Sequence, residues 1–585
     1  MALPYLRRLL PELRPHRRRL ALGLFCLAAT TAFSVANPWV LRHAIDDLAV
    51  AITHGKLWLY AGVILLLVVA EGFFRYWMRM ILIGISRDVE YDLRNRVFHH
   101  LTLLPPAYYQ RNRIGELMSR ASNDMSAVRM VLGPGIMYTA NTVATFAGTV
   151  CLMAAISPRL TLLALLPLVL VSFLVRHYGR QIQDRYEEVQ AQLAEMNALV
   201  QENLAGARVV RAYAQERHEE GRFGEANATY VARNRRLIHI TGIVYPGIQF
   251  LMGLGSLTVL WLGGRMVVAR TITLGEFVAF GAYLAMLNWP MIALGWVVNL
   301  FERGEASSGR IHAILDAPVE VRDEDPDDVR EIRGAVELRS LSFGYPGGPI
   351  VLHDVDLAVP AGATVAIVGP TGAGKTTLVS LLARLWDPPP GTLFVDGHDV
   401  RRIPLAVLRG AVGFVPQESF LFSDTVRENV AFGVGGDGGG ARAERAAEIA
   451  QLAKDLREFP NGFETTVGER GITLSGGQKQ RTALARAIAV LPRILVLDDA
   501  LSAVDTETEE QILEGLREVR RGRTTFLVSH RVSTVKDADL IVALRDGRVV
   551  EKGTHDELVA RGGFYADLHR RQLLEEEIET GEDAA

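Results

Sequence analysis

The chain has 585 residues, with 63 Lys and Arg against 66 Asp and Glu, and so lacks the basic excess expected of a nucleic-acid binder. A mean hydropathy of +0.16 beside 22% charged residues excludes a single soluble domain and predicts apolar segments in one region and a water-soluble domain in another. Two cysteines, Cys26 and Cys151, lie in apolar stretches and can build neither a disulfide framework nor a zinc site.

Hydrocarbon-length apolar runs are confined to the first half of the chain. Six spans are predicted, at 20–41, 57–84, 131–156, 159–175, 240–262 and 276–301. A span needs about 20 mostly apolar residues. The first, second and fifth satisfy this fully, the third carries several Thr and Gly residues, and the fourth is short. Arg7, Arg8, Arg14, Arg17, Arg18 and Arg19 precede the first span and place the N-terminus in the cytoplasm. Ser34-Val35-Ala36 loosely matches a signal-peptidase site, but five further spans follow it, so the first run reads as a span. Residues 86–130 and 176–239 are polar and helix-prone, and are expected to carry the spans well into the cytoplasm as uninterrupted helices. Glu71 and Arg75 stand four residues apart within the second span, where ionisable side chains are suspects for function but can also neutralise each other.

Composition changes at 316–334, an acidic, Pro-containing run that reads as a solvated linker. Short β-branched runs then alternate with helical patterns. Those at 364–368, 494–497 and 525–528 are continuously apolar, as in a parallel sheet covered on both faces. The Gly-rich stretch 433–440 is expected to be a surface loop, and the acidic end of the chain a helix that frays.

The phosphate chemistry starts at Gly369-Pro-Thr-Gly-Ala-Gly-Lys-Thr376, which follows a predicted strand and opens a predicted helix. In that context the pattern is a P-loop, whose glycines let backbone N–H groups close on phosphate oxygens at the positive end of a helix. Lys375 is placed to reach the β- and γ-phosphates and the Thr376 hydroxyl to ligand Mg²⁺. Ile494-Leu-Val-Leu-Asp498 is an apolar strand ending in a carboxylate suited to a hard cation. Leu474-Ser-Gly-Gly-Gln478 opens a second helix whose N-terminus could meet phosphate.

These motifs together resemble the ABC ATPases, whose signature is LSGGQ. The resemblance implies an α/β P-loop ABC ATPase domain following an α-helical membrane domain of six transmembrane helices, the exporter arrangement called type IV. It implies ATP and Mg²⁺ as cofactors. It assigns nucleotide contacts to Tyr345, Gly369, Thr371, Gly372, Gly374, Lys375, Thr376, Thr377, Gln417, Ser475, Gly476, Gly477, Gln478 and Asp505. Metal contacts fall to Thr376, Gln417 and Asp498, and catalysis to Asp499 and the switch histidine His530. Glu469-Arg470-Gly471 resembles the X-loop of exporters, and 108–124 and 206–213 resemble the two coupling regions between membrane helices and ATPase. The expected domains are 1–315 for the membrane, 316–334 for the linker, 335–572 for the ATPase and 573–585 for an acidic tail.

In that family the signature of one ATPase domain completes the ATP site of another, so a second half-transporter is implied as partner. The remaining partners are the lipid bilayer of the cytoplasmic membrane and a hydrophobic or amphipathic small molecule, lipid or peptide, with no nucleic acid. The sequence departs from the family at Asp499, where efficient hydrolases carry Glu. Asp is one methylene shorter, drawing its oxygens back by about 1 Å, and misplacement on that scale can cost about 100-fold in rate. With the signature intact, the combination resembles the subunit, of the TmrB or MdlA type, that supplies a good signature but a poor base in heterodimeric bacterial exporters. Alternatives are a homodimeric exporter or lipid flippase with Asp499 as working base, or an importer on the same fold. The six spans argue against a soluble ABC ATPase.

Overall fold

The computed structural model describes residues 3–50, 53–435, 439–468 and 474–582. It divides into two units, one comprising Met1–Thr102 and Ile114–Ala317, the other Leu103–Arg113 and Pro318–Ala585.

The first unit is helical. After two single-turn helices, Pro4–Arg7 and Leu10–Leu13, come α1 (Arg17–Val50) and α2 (His54–Leu103). At 50 residues α2 is about 75 Å long, far more than a bilayer requires, and its C-terminal half is the polar extension expected from the sequence. The uninterrupted pattern expected over 86–130 is broken at Pro105 and Pro106, because Pro removes a helical N–H and restricts the residue before it. Pro106 instead starts the short helix α3 (Pro106–Arg111) at its first turn, where its missing N–H costs nothing. This break belongs to the second unit. Ala107 packs in that unit's core, and Arg111 Nη2 donates to Pro346 O at 2.9 Å.

The chain returns to the first unit with α4 (Ile114–Ile156), which contains a wide π-turn at Val131–Gly135 around Pro134. α5 (Pro158–Ala205) opens at a Ser157 cap that accepts from Leu160 N at 3.3 Å. The segment 176–239 is also interrupted, at Gly206, where the single helix α6 (Ala207–Ala212) leads to α7 (Glu216–Val268). α8 (Leu274–Met286) starts with a reciprocal Thr273–Glu276 capping box and runs through Leu287 into α9 (Asn288–Leu315). Among the described residues, five helices are long and apolar enough to cross a membrane. The apolar part of α5, Pro158–Val171, is shorter, as expected of the fourth span. Arg75 donates to Glu71 one turn away, so each neutralises the other.

Charged groups buried in this unit are paired. Glu90, 7% exposed, faces Arg87, Arg94 and Arg129. Asp124 on α4 accepts from Arg310 Nε at 2.7 Å, Arg310 Nη2 at 2.5 Å and Ser307 Oγ at 2.9 Å, tying α4 to α9. Burial works against the Asp124 anion, but these bonds outweigh it and hold its pKa below the usual carboxylate value.

The second unit is α/β. Its larger sheet runs β10 (Arg548–Gly553), β9 (Leu540–Arg545), β3 (Thr364–Val368), β8 (Thr524–Val528), β7 (Ile494–Asp498) and β6 (Val412–Val415), parallel except for β10. β3, β7 and β8 are buried at every residue, in accord with their continuous apolar pattern. A smaller antiparallel sheet has the order β2 (Ile350–Val359), β1 (Val336–Gly344), β4 (Leu393–Val395), β5 (His398–Asp399).

The acidic run before β1 is held along its length. Asp323 accepts from Leu405 N, Asp327 meets Arg402 and His398, and Asp396 accepts from the backbone of Arg333, Gly334 and Ala335. Gly439 and Gly440, read from sequence as the end of a loop, begin the helix Gly439–Ile449, because the Ala- and Glu-rich stretch that follows is strongly helix-forming.

Candidate ATP site

The C-terminal ends of the adjacent strands β3, β8 and β7 converge, the usual place for a ligand in an open parallel sheet. The loop after β3 turns directly into α10 (Lys375–Leu382). Two glycines are indispensable to its path. A Cβ at Gly369 would lie 2.1 Å from Leu544 O, and Gly374 takes φ +94° with Leu352 Cδ2 only 2.8 Å from where a Cβ would stand. No other residue fits either condition without displacing backbone or core.

The result is a cleft of about 260 Å³ lined by Thr371, Gly372, Gly374, Lys375, Thr376, Thr377 and Gln417, with Asp498, Asp499 and His530 on its other walls. Lys375 Nζ is folded back onto its own loop, donating to Gly369 O at 2.8 Å and Pro370 O at 3.0 Å. Burial pushes its pKa down, opposed by Asp499 and Asp498. This is an ammonium with partners it can exchange for phosphate oxygens.

Thr376 Oγ1 donates to Asp498 Oδ1 at 3.2 Å, while Asp498 Oδ2 is buried and has no hydrogen-bond partner among the described residues. Burial raises the Asp498 pKa; the Thr376 bond works against this and Asp499 adds to it. A hydroxyl, an orphaned carboxylate oxygen and a nearby amide are hard oxygen donors of the kind Mg²⁺ takes, so the residues fit that ion. Burial, with Lys375 nearby, holds the His530 imidazole below its ordinary value, and Asp499 acts in the opposite sense.

Asp499 stands at φ +51°. The left-handed region is unfavourable for most L-residues and least so for Asp and Asn, so the short carboxylate suits the backbone that holds it. The turn that follows it is held by a residue that sequence reasoning missed. Gln480, buried on α11 (Gly476–Ala489), donates to Ser502 Oγ at 2.9 Å and to Asp499 O at 3.5 Å, and accepts from Ala503 N at 2.9 Å. Those partners lie about twenty residues away, and no local pattern announces them.

The remaining sequence-predicted residues do not line the cleft. Tyr345 is half-buried, its hydroxyl 2.9 Å from Thr377 Oγ1 and its ring edge-on to Phe343 and Trp386. Gly369 shapes the loop from below. Ser475 caps α11 reciprocally with Gln478, whose Nε2 also reaches Asp455, itself paired with Arg481. Gly476 and Gly477 lie against Ala503, where a Cβ on Gly477 would be 3.0 Å from Ala503 O. Asp505 caps α12 (Thr506–Arg520), accepting from Thr508 N at 2.9 Å. Glu469, Arg470 and Gly471 lie outside the described residues. The phosphate cleft and the signature are thus two separate surfaces of one unit.

Residues 20–291 match the family of ABC transporter transmembrane regions, and residues 352–502 match the family described as ABC transporter. The chain is 38% identical over 561 residues to the probable multidrug resistance ABC transporter ATP-binding/permease protein YheI of Bacillus subtilis, covering 95% of each chain. It is 35% identical to the multidrug resistance-like ATP-binding protein MdlA of Escherichia coli, over 89% of each. It is 33% identical to an ATP-dependent lipid A-core flippase of Syntrophus aciditrophicus, over 98% of this chain and 95% of that one. Among solved structures, a bacterial Atm1-family ABC exporter with ATP bound aligns with a TM-score of 0.78 at 28% identity, over 95% of this chain and 98% of that one. With both halves matched and relatives similar from end to end, the chain belongs to the ABC transporters of the exporter type, a half-transporter that joins a membrane-spanning helical region to an ATPase coupling hydrolysis to transport.

Proposed function

We propose that this chain is one subunit of an exporter of hydrophobic or amphipathic substrates, working by alternating access with its ATPase unit and N-terminus in the cytoplasm. The observation that carries the reading is the separation of the two phosphate-binding surfaces. The cleft holds Lys375, Thr376, Gln417, Asp498, Asp499 and His530 but none of Ser475–Gln478. A site so divided is completed when the signature of a second ATPase unit closes over it, which makes nucleotide binding the event that draws two units together. Multidrug and flippase relatives support an apolar or amphipathic cargo.

Within the cleft, Lys375 would leave its loop carbonyls for phosphate oxygens, and the loop's N–H groups would hold the rest. Thr376, Asp498 and Gln417 would hold Mg²⁺, which when bound neutralises charge on the phosphates. Asp499 and His530 would orient the attacking water. Because the Asp499 carboxylate falls about 1 Å short of where a glutamate's would lie, this site is the slow one, and the partner is a non-identical chain carrying Glu.

The test compares ATP turnover of the chain purified alone, of the chain with its partner, and of Asp499→Glu alone. The expected result is low turnover alone, raised about 10- to 100-fold by Asp499→Glu. High turnover of the wild-type chain alone would instead mark a homodimer with Asp499 as working base. ATP-driven accumulation in inside-out vesicles marks export, and depletion marks import.

A further inference from the structure

The switch histidine sits on a short loop between β8 and the single-turn helix α13 (Val532–Val535), and a loop alone cannot fix an imidazole to the tolerance that catalysis needs. Two side chains outside the recognised ATP motifs grip it. Gln572, on the C-terminal helix α14 (Phe564–Glu582), donates to the carbonyl of His530 itself and accepts from Val532 N at 2.8 Å. One amide therefore brackets the loop on both sides of Arg531.

The second is Glu509, on α12. It is 3% exposed, and a carboxylate so buried is costly unless fully paired. Its Oε2 receives Arg531 Nη1, and its Oε1 receives Thr534 Oγ1 at 2.5 Å. Both partners follow His530, one and four residues along the chain. The Ser529 hydroxyl closes the loop by accepting from Arg531 N at 3.0 Å.

Each gripping residue is itself anchored. α12 begins at the Asp505 cap, directly after the Asp499–Val504 turn held by Gln480. The start of α14 is fixed by Glu551, which accepts from Phe564 N at 2.8 Å and Tyr565 N at 2.9 Å, and by the buried Tyr565, whose hydroxyl lies 2.8 Å from His555 Nδ1.

We propose that Gln572 and Glu509 are positioning residues for His530, so that the working ATP site extends to the C-terminal helix and to the helix after Asp505. The inference rests on His530 acting at the phosphate cleft, and the experiment separates the two. ATP turnover of the assembled transporter in nanodiscs is measured in the Asp499→Glu background, where this site contributes fully. His530→Ala, Gln572→Leu, Gln572→Glu and Glu509→Gln are compared, with affinity for a fluorescent ATP analogue as control.

The expected result is that His530→Ala loses at least about 100-fold in kcat. Gln572→Leu and Glu509→Gln lose about 10-fold, a fraction of that cost because they displace the imidazole without removing it, with KM and analogue affinity within about twofold. Gln572→Glu keeps the acceptor for Val532 N and recovers part of the loss. Wild-type kcat for both Gln572→Leu and Glu509→Gln beside a damaged His530→Ala overturns the proposal. A loss of analogue affinity equal to the loss of kcat also overturns it, by showing general damage to the unit. An undamaged His530→Ala removes the role of the histidine first, and the proposal with it.

Discussion

The buried charges of the helical unit and those of the ATP cleft are satisfied in opposite ways. In the helical unit, Glu90 is surrounded by Arg87, Arg94 and Arg129, and Asp124 takes three hydrogen bonds from Arg310 and Ser307. In the ATPase unit, Asp498 keeps one buried oxygen without a partner, and Lys375 satisfies itself on the carbonyls of its own loop. A fully paired buried charge maintains a fold, whereas an unpaired one costs free energy that a ligand can recover. The contrast separates a scaffold from a site before any motif is consulted, and it can be broken by substitution on either side.

The largest effect is expected at Lys375. Lys375→Ala removes an ammonium that would meet two phosphates, and truncating one partner of a buried charged pair costs about 2–5 kcal/mol, or roughly 30- to several thousand-fold in ATP affinity. The apo fold should lose less than binding does, because the bonds given up are to carbonyls of the same loop, Gly369 O and Pro370 O, and tie Lys375 to no other element. Isothermal titration with ATP, beside a melting curve of the apo protein, checks both halves. A fall in apo stability as large as the loss of binding would place Lys375 among the scaffold charges instead.

Asp498→Asn sharpens the contrast from the other side. The substitution removes an anion that burial disfavours, so the apo protein should melt at the same temperature or higher. What is lost is the Mg²⁺-dependent part of ATP stabilisation, read as the difference between melts with magnesium and with a chelator. Melting well below wild type without nucleotide would mean that the orphaned oxygen has a structural partner.

What could be read from sequence follows the same division. The P-loop, the strand ending at Asp498 and the polar helical extensions of the spans are legible because their determinants are local: glycines at fixed spacing, five consecutive buried residues, long runs of polar helix formers. The break at Pro105–Pro106 is visible in the residues themselves, yet the long helical pattern around it masks it. By contrast, nothing near Gln480, Glu509 or Gln572 tells which backbone each will hold, since their partners lie about 20 to 40 residues away and are brought close only by the sheet. The positive φ of Asp499 is hidden for a related reason. The departure from Glu is plain in the sequence, but the positive φ that favours a short side chain there arises in the turn after β7, whose next residues Gln480 holds from α11.

The smallest effect, and the one that tests the scaffold side directly, is expected at Asp124. Asp124→Asn keeps the shape and one acceptor for Ser307 but leaves Arg310 without its counter-charge. A hydrogen bond to a charged group is worth about 1.5–3 kcal/mol; with half of the Arg310 side chain in solvent the expected cost is about 1–2 kcal/mol. Because the folded carboxyl has a pKa below its unfolded value, its contribution is complete above the unfolded value and disappears as pH falls through the folded one. Melting curves of wild type and Asp124→Asn should therefore lie apart at neutral pH and converge in acid below about pH 4, where the unfolded carboxyl begins to take up its proton. A constant gap across that range would mean that packing, and not the ion pair, joins α4 to α9.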